Sequence, residues 1–295
     1  MTQESKSAAP IRPRRSVLYM PGSNARALHK ARTLPADALI LDLEDAVAPE
    51  AKQSARAQVC GAVRAGFGKR ETVVRINALS TPWGEQDLIA AAAAQPDAIL
   101  LPKVSTPNDI GIAEQRLSRA HRSLALWIMV ETPLAVLNVA ALAAAGGRLA
   151  CLVMGTNDLI KELRGVHTQD RLNLAAALGL SVLAARAHGL AIIDGVYNDI
   201  GDSKGFAASC AQGRSFGFDG KTVIHPSQIE PCNAAFAPSP EEVETAKKII
   251  AAFALPENKG KGAIKLDGRM VERLHAENAR RTLALAHAIA AMGAD

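Results

Sequence analysis

The chain has 295 residues, of which 48% are hydrophobic and only 3% aromatic, and its formal net charge at pH 7 is +5. This composition is sufficient for a sizeable core, but the chain lacks the Arg and Lys runs interleaved with aromatics that are typical of nucleic-acid binding. No stretch is long and apolar enough to span a bilayer, and the polar first 15 residues lack the apolar segment of a signal peptide.

The cysteines indicate a cellular compartment. Cys60, Cys151, Cys210 and Cys232 show no CxxC spacing, so we expect free thiols in a reducing environment rather than disulfides or a zinc site. Together with the polar N-terminus, this predicts a cytoplasmic protein. The excess of positive charge favours an anionic ligand, although an ordinary basic surface gives the same balance.

Short apolar runs alternate with helix-like segments along most of the chain, which is the pattern of βα units around a parallel sheet. We predict eight strands, at residues 16–20, 38–43, 72–76, 98–102, 124–130, 149–154, 190–194 and 222–224. We predict helices at residues 24–33, 49–65, 84–95, 106–120, 133–145, 168–188 and 203–216. Eight strands alternating with helices in a chain of this length predict an α/β fold of the TIM (β/α)8 barrel type.

The composition changes after Pro226, where several prolines interrupt the chain. Beyond this point we predict a helix at residues 241–253, a flexible basic linker at 259–262 and an amphipathic helix at 270–291. The predicted organisation is a flexible N-terminal tail (1–14), a catalytic barrel (15–232) and a C-terminal helical extension or lid (233–295). Such an extension either caps its own barrel or reaches a neighbouring subunit.

Charged residues stand at or just beyond the ends of six predicted strands. A charge next to a buried strand must be paired, solvated at an opening or bound to a metal. Because the carboxyl ends of all strands meet on one face of a parallel barrel, these charges predict a single polar mouth, where barrel active sites lie. The charged residues are Glu44, Asp45, Arg75, Lys103, Glu131, Asp158 and Asp194.

Glu131 and Asp158 follow strands five and six, which are neighbours in the predicted barrel. Two carboxylates that leave positions open to water suit Mg²⁺, which takes only one or two carboxylates and keeps several waters. The alternative is structural, with Asp158 capping the next helix and Glu131 forming a salt bridge. As a pair on adjacent strands, they predict a magnesium site.

Arg75 and Lys103 bring positive charge to the same mouth. A guanidinium at the end of strand three grips a substrate carboxylate with two parallel hydrogen bonds, unless Arg75 serves as a buried partner of Glu44 or Asp45. Lys103 is a candidate for substrate binding as a plain positive charge. A lysine near a barrel strand end also suits a Schiff-base aldolase, so that alternative stays open.

Eight short segments of the chain form a recognisable set. They are RSVLYMPG (15–22), LDLEDAV (41–47) with Lys52 and Arg56, RIN (75–77), LPK (101–103), ETP (131–133), GTNDL (155–159), GFDGK (217–221) and IHPSQ (224–228). Together, in this order and over about residues 14 to 286, they resemble the citrate lyase β-subunit-like proteins of the HpcH/HpaI aldolase superfamily. The resemblance implies a TIM barrel, a homotrimer or hexamer, Mg²⁺ held by Glu131 and Asp158, and a substrate carboxylate bound by Arg75.

One departure concerns the C-terminal segment, where many lyases of this family have a glycine-led stretch ending in an aspartate that reaches a neighbouring active site. Here the stretch runs from Leu266 to Arg273, and Glu272 stands in place of the aspartate. The additional methylene displaces a proton-transfer group by about an ångström, which can cost on the order of 10²-fold in rate. The class of reaction within the family is therefore open.

The predicted function is a Mg²⁺-dependent carbon–carbon lyase that cleaves a carboxylated 3-hydroxyacyl-CoA, of the malyl-CoA or citramalyl-CoA type, to acetyl-CoA and a 2-oxo acid. Glu44, or Glu272 from another subunit, moves the proton. Basic residues near the mouth are candidates for holding the CoA phosphates, although a solvated helix face is an equal alternative. These basic residues are Arg15, Arg26 and Lys30.

Other functions fit the same residues. They are a malyl-CoA thioesterase, a metal-dependent oxo-acid aldolase acting on free acids, and a citrate lyase β-type subunit. Such a subunit acts on an acyl-carrier-protein thioester, or docks without catalysis. The acyl group cannot be chosen from residue types, because one methyl group in a pocket is worth only about 1–3 kcal/mol.

Overall fold

The computed structural model describes residues 11–293, so the first ten residues of the predicted tail lie outside it. Eight parallel strands close into a barrel in chain order, which confirms the predicted TIM barrel fold. The strands are β1 (Ser16–Pro21), β2 (Ala38–Asp42), β3 (Glu71–Arg75), β4 (Ala98–Leu101), β5 (Ala125–Val130), β6 (Leu149–Met154), β7 (Ala191–Asp194) and β8 (Gly220–Val223).

Two layers of apolar side chains form the core of the barrel. Successive strand residues point to opposite faces, so Ile40, Val73 and Met129 pack inside the barrel. Their neighbours Leu39, Val74 and Ile128 pack outward against the helices. This alternation decides which charged residues at the strand ends reach the mouth.

Helices follow the first seven strands as predicted, but the helix predicted from residue 168 begins at Ala175, and the helix Ile229–Phe236 after β8 was not predicted. Residues 133–145 form two short helices rather than one, because Asn138 leaves helical geometry and its side-chain amide donates to the Ser105 carbonyl. An additional helix begins at Thr156, directly after Gly155. The barrel helices are α1 (Ala25–Lys30), α2 (Lys52–Ala65), α3 (Gly84–Ala94), α4 (Pro107–Arg116), α5 (Pro133–Leu137), α6 (Val139–Ala143), α7 (Thr156–Glu162), α8 (Ala175–Ala187), α9 (Ser203–Phe216) and α10 (Ile229–Phe236).

The chain divides into two compact units, of which Arg14–Phe236 contains the barrel. In the second unit, the prediction of a helix from residue 270 is wrong at its start, because residues 263–272 form an antiparallel hairpin. Its turn residues Asp267 and Gly268 both have positive φ, as a two-residue type I′ turn requires. The elements of this unit are α11 (Pro240–Ala254), β9 (Ala263–Leu266), β10 (Arg269–Glu272) and α12 (Arg273–Met292).

The structure can be compared with two predictions made from composition, one about membrane-spanning segments and one about the cysteines. Within residues 11–293, no helix is both long enough and apolar enough to cross a membrane. The four cysteines are free thiols, and each of them is buried.

Candidate active site

Three strands each place one charged side chain at the mouth of the barrel. Asp42 and Arg75 are the last residues of β2 and β3 and lie in register, and Glu131 follows the last residue of β5. Each stands two residues beyond a side chain that packs inside the barrel. The strand period of two therefore points all three toward the barrel axis at the carboxyl end.

Arg75 is the centre of a buried ion-pair network. Its Nε and Nη2 atoms donate to the two carboxylate oxygens of Asp42, each at 2.7 Å, and Nη1 lies 3.2 Å from Asp45. The guanidinium carbon also lies 4.9 Å from the centre of the Tyr19 ring. Burial opposes the charge of Arg75, but Asp42 and the other groups around it raise its pKa well above the ordinary value.

Glu44 lies beside this network in the loop after β2. Its Oε2 is 2.9 Å from Arg75 Nη1 but makes no aligned hydrogen bond. Burial raises the pKa of Glu44 to about 8, with Arg75 acting in the opposite direction. The Lys52 ammonium donates to the backbone carbonyls of Leu43 and Glu44 and so fixes this loop. Glu44 therefore lies in a fixed loop and has a carboxyl group with a pKa near neutral pH.

A second cluster lies across the mouth, where Lys103 stands between Glu131 and Asp158. The Lys103 backbone N–H donates to Glu131 Oε1 at 2.6 Å, and its ammonium donates to Asp158 at 2.5 Å. The ammonium lies 3.5 Å from Glu131 Oε1. The geometry brings the predicted pair of carboxylates together around one positive charge.

The charges of this cluster shift one another's ionisation. Burial raises the pKa of Glu131 to about 7, although Lys103 opposes the shift. Burial also acts against ionisation of Lys103 and Asp158, but their hydrogen bond prevails, raising the pKa of Lys103 and lowering that of Asp158. A Schiff base needs a neutral amine, and this environment instead holds Lys103 as an ammonium ion.

The donor set fits a divalent cation. Glu131 is fully buried, yet its Oε2 has no hydrogen-bond partner among the described residues. Space beside that oxygen depends on Gly155, because a Cβ there would lie 2.6 Å from Oε2. Residues 11–293 contain no group of three or more His, Cys, Asp or Glu side chains placed to hold a metal. A cation here would take two carboxylates and water, as Mg²⁺ does.

A cavity of about 550 Å³ opens beside Lys103, between the β3–α3 loop and α4. Leu79, Val104 and Ile112 make much of its wall apolar, and Arg116 lies among its polar lining residues. The cluster of Lys103, Glu131 and Asp158 therefore borders a cavity whose wall is partly apolar.

The remaining predicted site residues lie elsewhere. Arg15 precedes β1, so it lies at the opposite end of the barrel, where both ends of its guanidinium bind Asp37. Arg26 and Lys30 are exposed on α1, which follows the carboxyl end of β1. The structure brings none of these three basic residues into the ion-pair clusters. Glu272 belongs to the second unit, where it caps the N-terminus of α12.

Asp194 was expected at the mouth but faces the helices instead. It is fully buried and pairs with Lys221 and Arg171 at 2.8 Å each. Its predecessor Ile193 packs inside the barrel, so the strand alternation turns Asp194 outward. Burial acts against its ionisation, but the opposite charges around it, with Lys221 first, lower its pKa. Asp194 therefore holds the barrel to its outer layer.

Sequence reasoning missed Asp42, Tyr19 and the role of Lys52. Asp42 was available from the alternation, since it stands two residues after Ile40 on the inward face of β2. Tyr19 lies on the inward face of β1, but from the sequence it was noted only as part of the segment RSVLYMPG. No local pattern predicts that Lys52 reaches back to the loop carbonyls, because that contact depends on how α2 packs.

Comparisons with known proteins identify relatives along nearly the whole chain. The profile of the HpcH/HpaI aldolase/citrate lyase family matches residues 15–226. A (3S)-malyl-CoA thioesterase of Cereibacter sphaeroides is 52% identical over 283 residues, covering 96% of this chain and 98% of the relative. The citrate lyase subunit beta of Escherichia coli is 33% identical over 294 residues, with 97% of each chain covered.

A solved structure is similar over a comparable length. The protein CitE of Mycobacterium tuberculosis, in complex with magnesium, acetoacetate and coenzyme A, superimposes with a TM-score of 0.73 at 29% identity. The match covers 92% of this chain and 97% of that one.

Proposed function

Since the chain belongs to the HpcH/HpaI aldolase/citrate lyase family, we propose that it is a Mg²⁺-dependent enzyme that hydrolyses a malyl-CoA-type thioester to the free hydroxy acid and CoA. The observation that carries this proposal is the buried, unpartnered Glu131 oxygen next to Asp158, facing a mouth that also holds Arg75 and Glu44. The sequence alone predicted carbon–carbon cleavage. The thioesterase relatives, which are 50–52% identical to this chain, favour hydrolysis instead.

Each side chain has a separate task in this proposal. Glu131 and Asp158 hold the cation, which when bound acts as a Lewis acid on substrate oxygens. Arg75 has five N–H donors, of which two go to Asp42 and one goes from Nη1 to Asp45, so one N–H on each of Nη1 and Nη2 is left for the substrate carboxylate. Glu44 moves the proton: with a pKa of about 8, its ionised form is the minor one at pH 7 and grows as the pH rises toward 8, and this form takes the proton from the attacking water.

Carbon–carbon cleavage is the second candidate, and the ionisation of Glu44 is the observation that favours it. A carboxyl group with a pKa of about 8 is mostly protonated at pH 7, and cleavage to acetyl-CoA needs a proton donor for the released carbon. The similarity to the citrate lyase subunit beta of Escherichia coli supports the same interpretation. Both reactions would use the same side chains at the mouth, with Glu131 and Asp158 as the residues that would hold the cation.

The products distinguish the two reactions. We would incubate the purified protein with (3S)-malyl-CoA and Mg²⁺, and quantify free CoA, malate, acetyl-CoA and glyoxylate by chromatography and mass spectrometry. Hydrolysis predicts equal amounts of CoA and malate, whereas cleavage gives acetyl-CoA and glyoxylate. Asp158→Asn should abolish product formation, whereas Glu162→Gln, an exposed carboxylate on the same helix, should not. Unchanged substrate with active-site residues intact would contradict both reactions.

A further inference from the structure

Lys103 has an unusual backbone conformation beside the two carboxylates of the proposed cation site. Its φ is +55°, in the left-handed region that residues other than glycine rarely adopt. Such a conformation persists only where the surrounding structure requires it, and it is frequent at functional sites. In this conformation the backbone N–H of Lys103 donates to Glu131 Oε1 at 2.6 Å. The backbone of this residue is therefore fixed against the buried carboxylate.

The side chain of the same residue lies between the two carboxylates. The Lys103 ammonium donates to Asp158 Oδ2 at 2.5 Å and lies 3.5 Å from Glu131 Oε1. Glu131 is fully buried, whereas the side chains of Lys103 and Asp158 are 35% and 31% exposed. Both carboxylates are therefore in contact with Lys103, and the ammonium lies on the part of the cluster that is open to solvent.

Lys103 and a divalent cation require the same negative charge. The two carboxylates carry at most two negative charges, and the ammonium compensates one of them. An ammonium and a metal ion that lie a few ångströms apart repel each other, and salt screens this repulsion only weakly where the groups are partly buried. A cation that binds Glu131 and Asp158 together must therefore break the ion pair between Lys103 and Asp158.

The structure provides space for a displaced Lys103 side chain. Lys103 lines the cavity of about 550 Å³ between the β3–α3 loop and α4, and Asp109 is among the other lining residues. Asp109 accepts hydrogen bonds from the backbone N–H groups of Ser105 and Thr106, so its carboxylate is held at this wall. A lysine has a flexible four-carbon stem, and its ammonium can therefore turn into the cavity while the backbone bond to Glu131 remains.

We propose that Lys103 is an internal counter-ion of the cation site: its ammonium pairs with Glu131 and Asp158 until a divalent cation takes its place, and it then turns into the neighbouring cavity. The inference rests on the proposed function and concerns the control of its cation. Binding of the cation costs one ion pair, so its affinity is lower than two carboxylates alone would give. A lysine that served only to bind substrate would have no such effect in the absence of substrate.

The first test is the affinity for Mn²⁺ without substrate, with the free ion followed by electron paramagnetic resonance. Lys103→Met keeps most of the side-chain volume and removes the charge. We expect this variant to bind Mn²⁺ at least about tenfold more tightly than the wild type, because the charged hydrogen bond to Asp158 no longer has to be broken. Lys161→Met is the matched control, since Lys161 is exposed on the same helix as Asp158, one turn later, and it should bind Mn²⁺ as the wild type does.

The outcomes separate this inference from the proposed function. Equal affinities of the wild type and Lys103→Met would overturn the counter-ion role and leave the cation site intact. The same gain in affinity from Lys161→Met would also overturn it, because a general effect of charge would then explain the result. If none of the three proteins binds Mn²⁺, the proposed function fails together with the inference.

A labelling experiment on the wild type keeps the test valid if Lys103→Met fails to fold. Trace amounts of acetic anhydride modify lysine amines according to their exposure and their ion pairing, and peptide mass spectrometry gives the rate at each lysine. Saturating Mg²⁺ should raise the rate at Lys103 severalfold, because its ammonium leaves the ion pair that stabilises the charged form. The rate at Lys161 should stay constant. An unchanged or lower rate at Lys103 would show that the lysine stays between the carboxylates and would overturn the proposal.

Discussion

Arg75 lies among three carboxylates, those of Asp42, Glu44 and Asp45. This arrangement explains why an arginine is needed at the position. Its fork fits both oxygens of Asp42 while Nη1 remains directed at Glu44 and Asp45. A lysine has one ammonium on a flexible stem and cannot satisfy a planar carboxylate from two sides. The position therefore depends on geometry as well as charge.

Arg75→Lys should lower kcat/KM by about 100-fold or more, because a misplaced group in the site costs on this order. The free energy of unfolding should also fall, by roughly 1–3 kcal/mol, because Asp42 loses one of its two hydrogen bonds to a charged donor. Urea unfolding and product assays measure the two effects. Arg64→Lys, on the exposed surface of α2, is the control. Normal turnover and stability of the Arg75→Lys variant would show that Arg75 has no special role.

Glu44 predicts a pH dependence of stability. Its pKa is raised to about 8 in the folded protein by burial, against about 4.3 in an unfolded chain. The folded state therefore holds the proton more tightly, so the stabilisation is complete below the unfolded pKa and is lost as the pH rises toward 8. In EDTA, the free energy of unfolding of the wild type should fall by about 2–4 kcal/mol between pH 5 and 8, as measured by urea unfolding. Glu44→Gln should not show this fall. If both proteins lose stability in parallel over this range, Glu44 is not the group that titrates.

At the scale of elements, the turn between β6 and α7 leaves room beside the buried Glu131 carboxylate. Gly155 directly precedes α7 and approaches Glu131 so closely that a Cβ would lie 2.4 Å from the Glu131 Cβ. Because Glu131 is fully buried, its side chain cannot move aside without disturbing the packing around it. A glycine after strand six is thus part of the site, although it contributes no ligand atom.

Gly155→Ala should therefore displace Glu131 and weaken divalent-cation binding by at least about tenfold, the lower range for residues that orient ligands. Gly111→Ala is a suitable control, because Gly111 lies in α4 with open space around its Cα. This control should bind the cation normally and be slightly more stable, by about 0.5–1 kcal/mol. Calorimetry and thermal unfolding measure both quantities. Normal cation binding by Gly155→Ala would show that Glu131 does not need this space.

The strands could be predicted well because buried parallel strands are continuous apolar runs between turn residues. The helices were harder where side chains intervene from a distance, as Asn138 does through its bond to the Ser105 carbonyl. The β9–β10 hairpin was missed for a different reason. Its Asp267-Gly268 pair is a strong local hairpin signal, but the amphipathic pattern of the following helix was extended over it.

Across the whole molecule, the sequence predicted the barrel, most of the charged residues at its mouth and, as an alternative, the pairing of Arg75 with Glu44 or Asp45. It did not predict the pairs Arg75–Asp42 and Lys103–Asp158. Strand alternation predicts that Arg75 faces inward and that Asp194 does not, whereas Lys52 and the φ of +55° at Lys103 depend on tertiary packing. The domain limits, the role of Glu272 and the CoA-phosphate residues Arg26 and Lys30 stay predictions. The family also leaves the reaction class open, because its members include lyase subunits and a thioesterase.

Both proposed reactions require that Glu131 and Asp158 hold a divalent cation. Mn²⁺ prefers the same oxygen ligands as Mg²⁺ and is visible by electron paramagnetic resonance. We would titrate the protein with Mn²⁺ and follow the free ion. The wild type and Glu162→Gln should bind one Mn²⁺ per chain with equal affinity, and Glu131→Gln and Asp158→Asn should each bind at least about tenfold more weakly. Equal Mn²⁺ binding by all four proteins would show that Glu131 and Asp158 do not hold the ion.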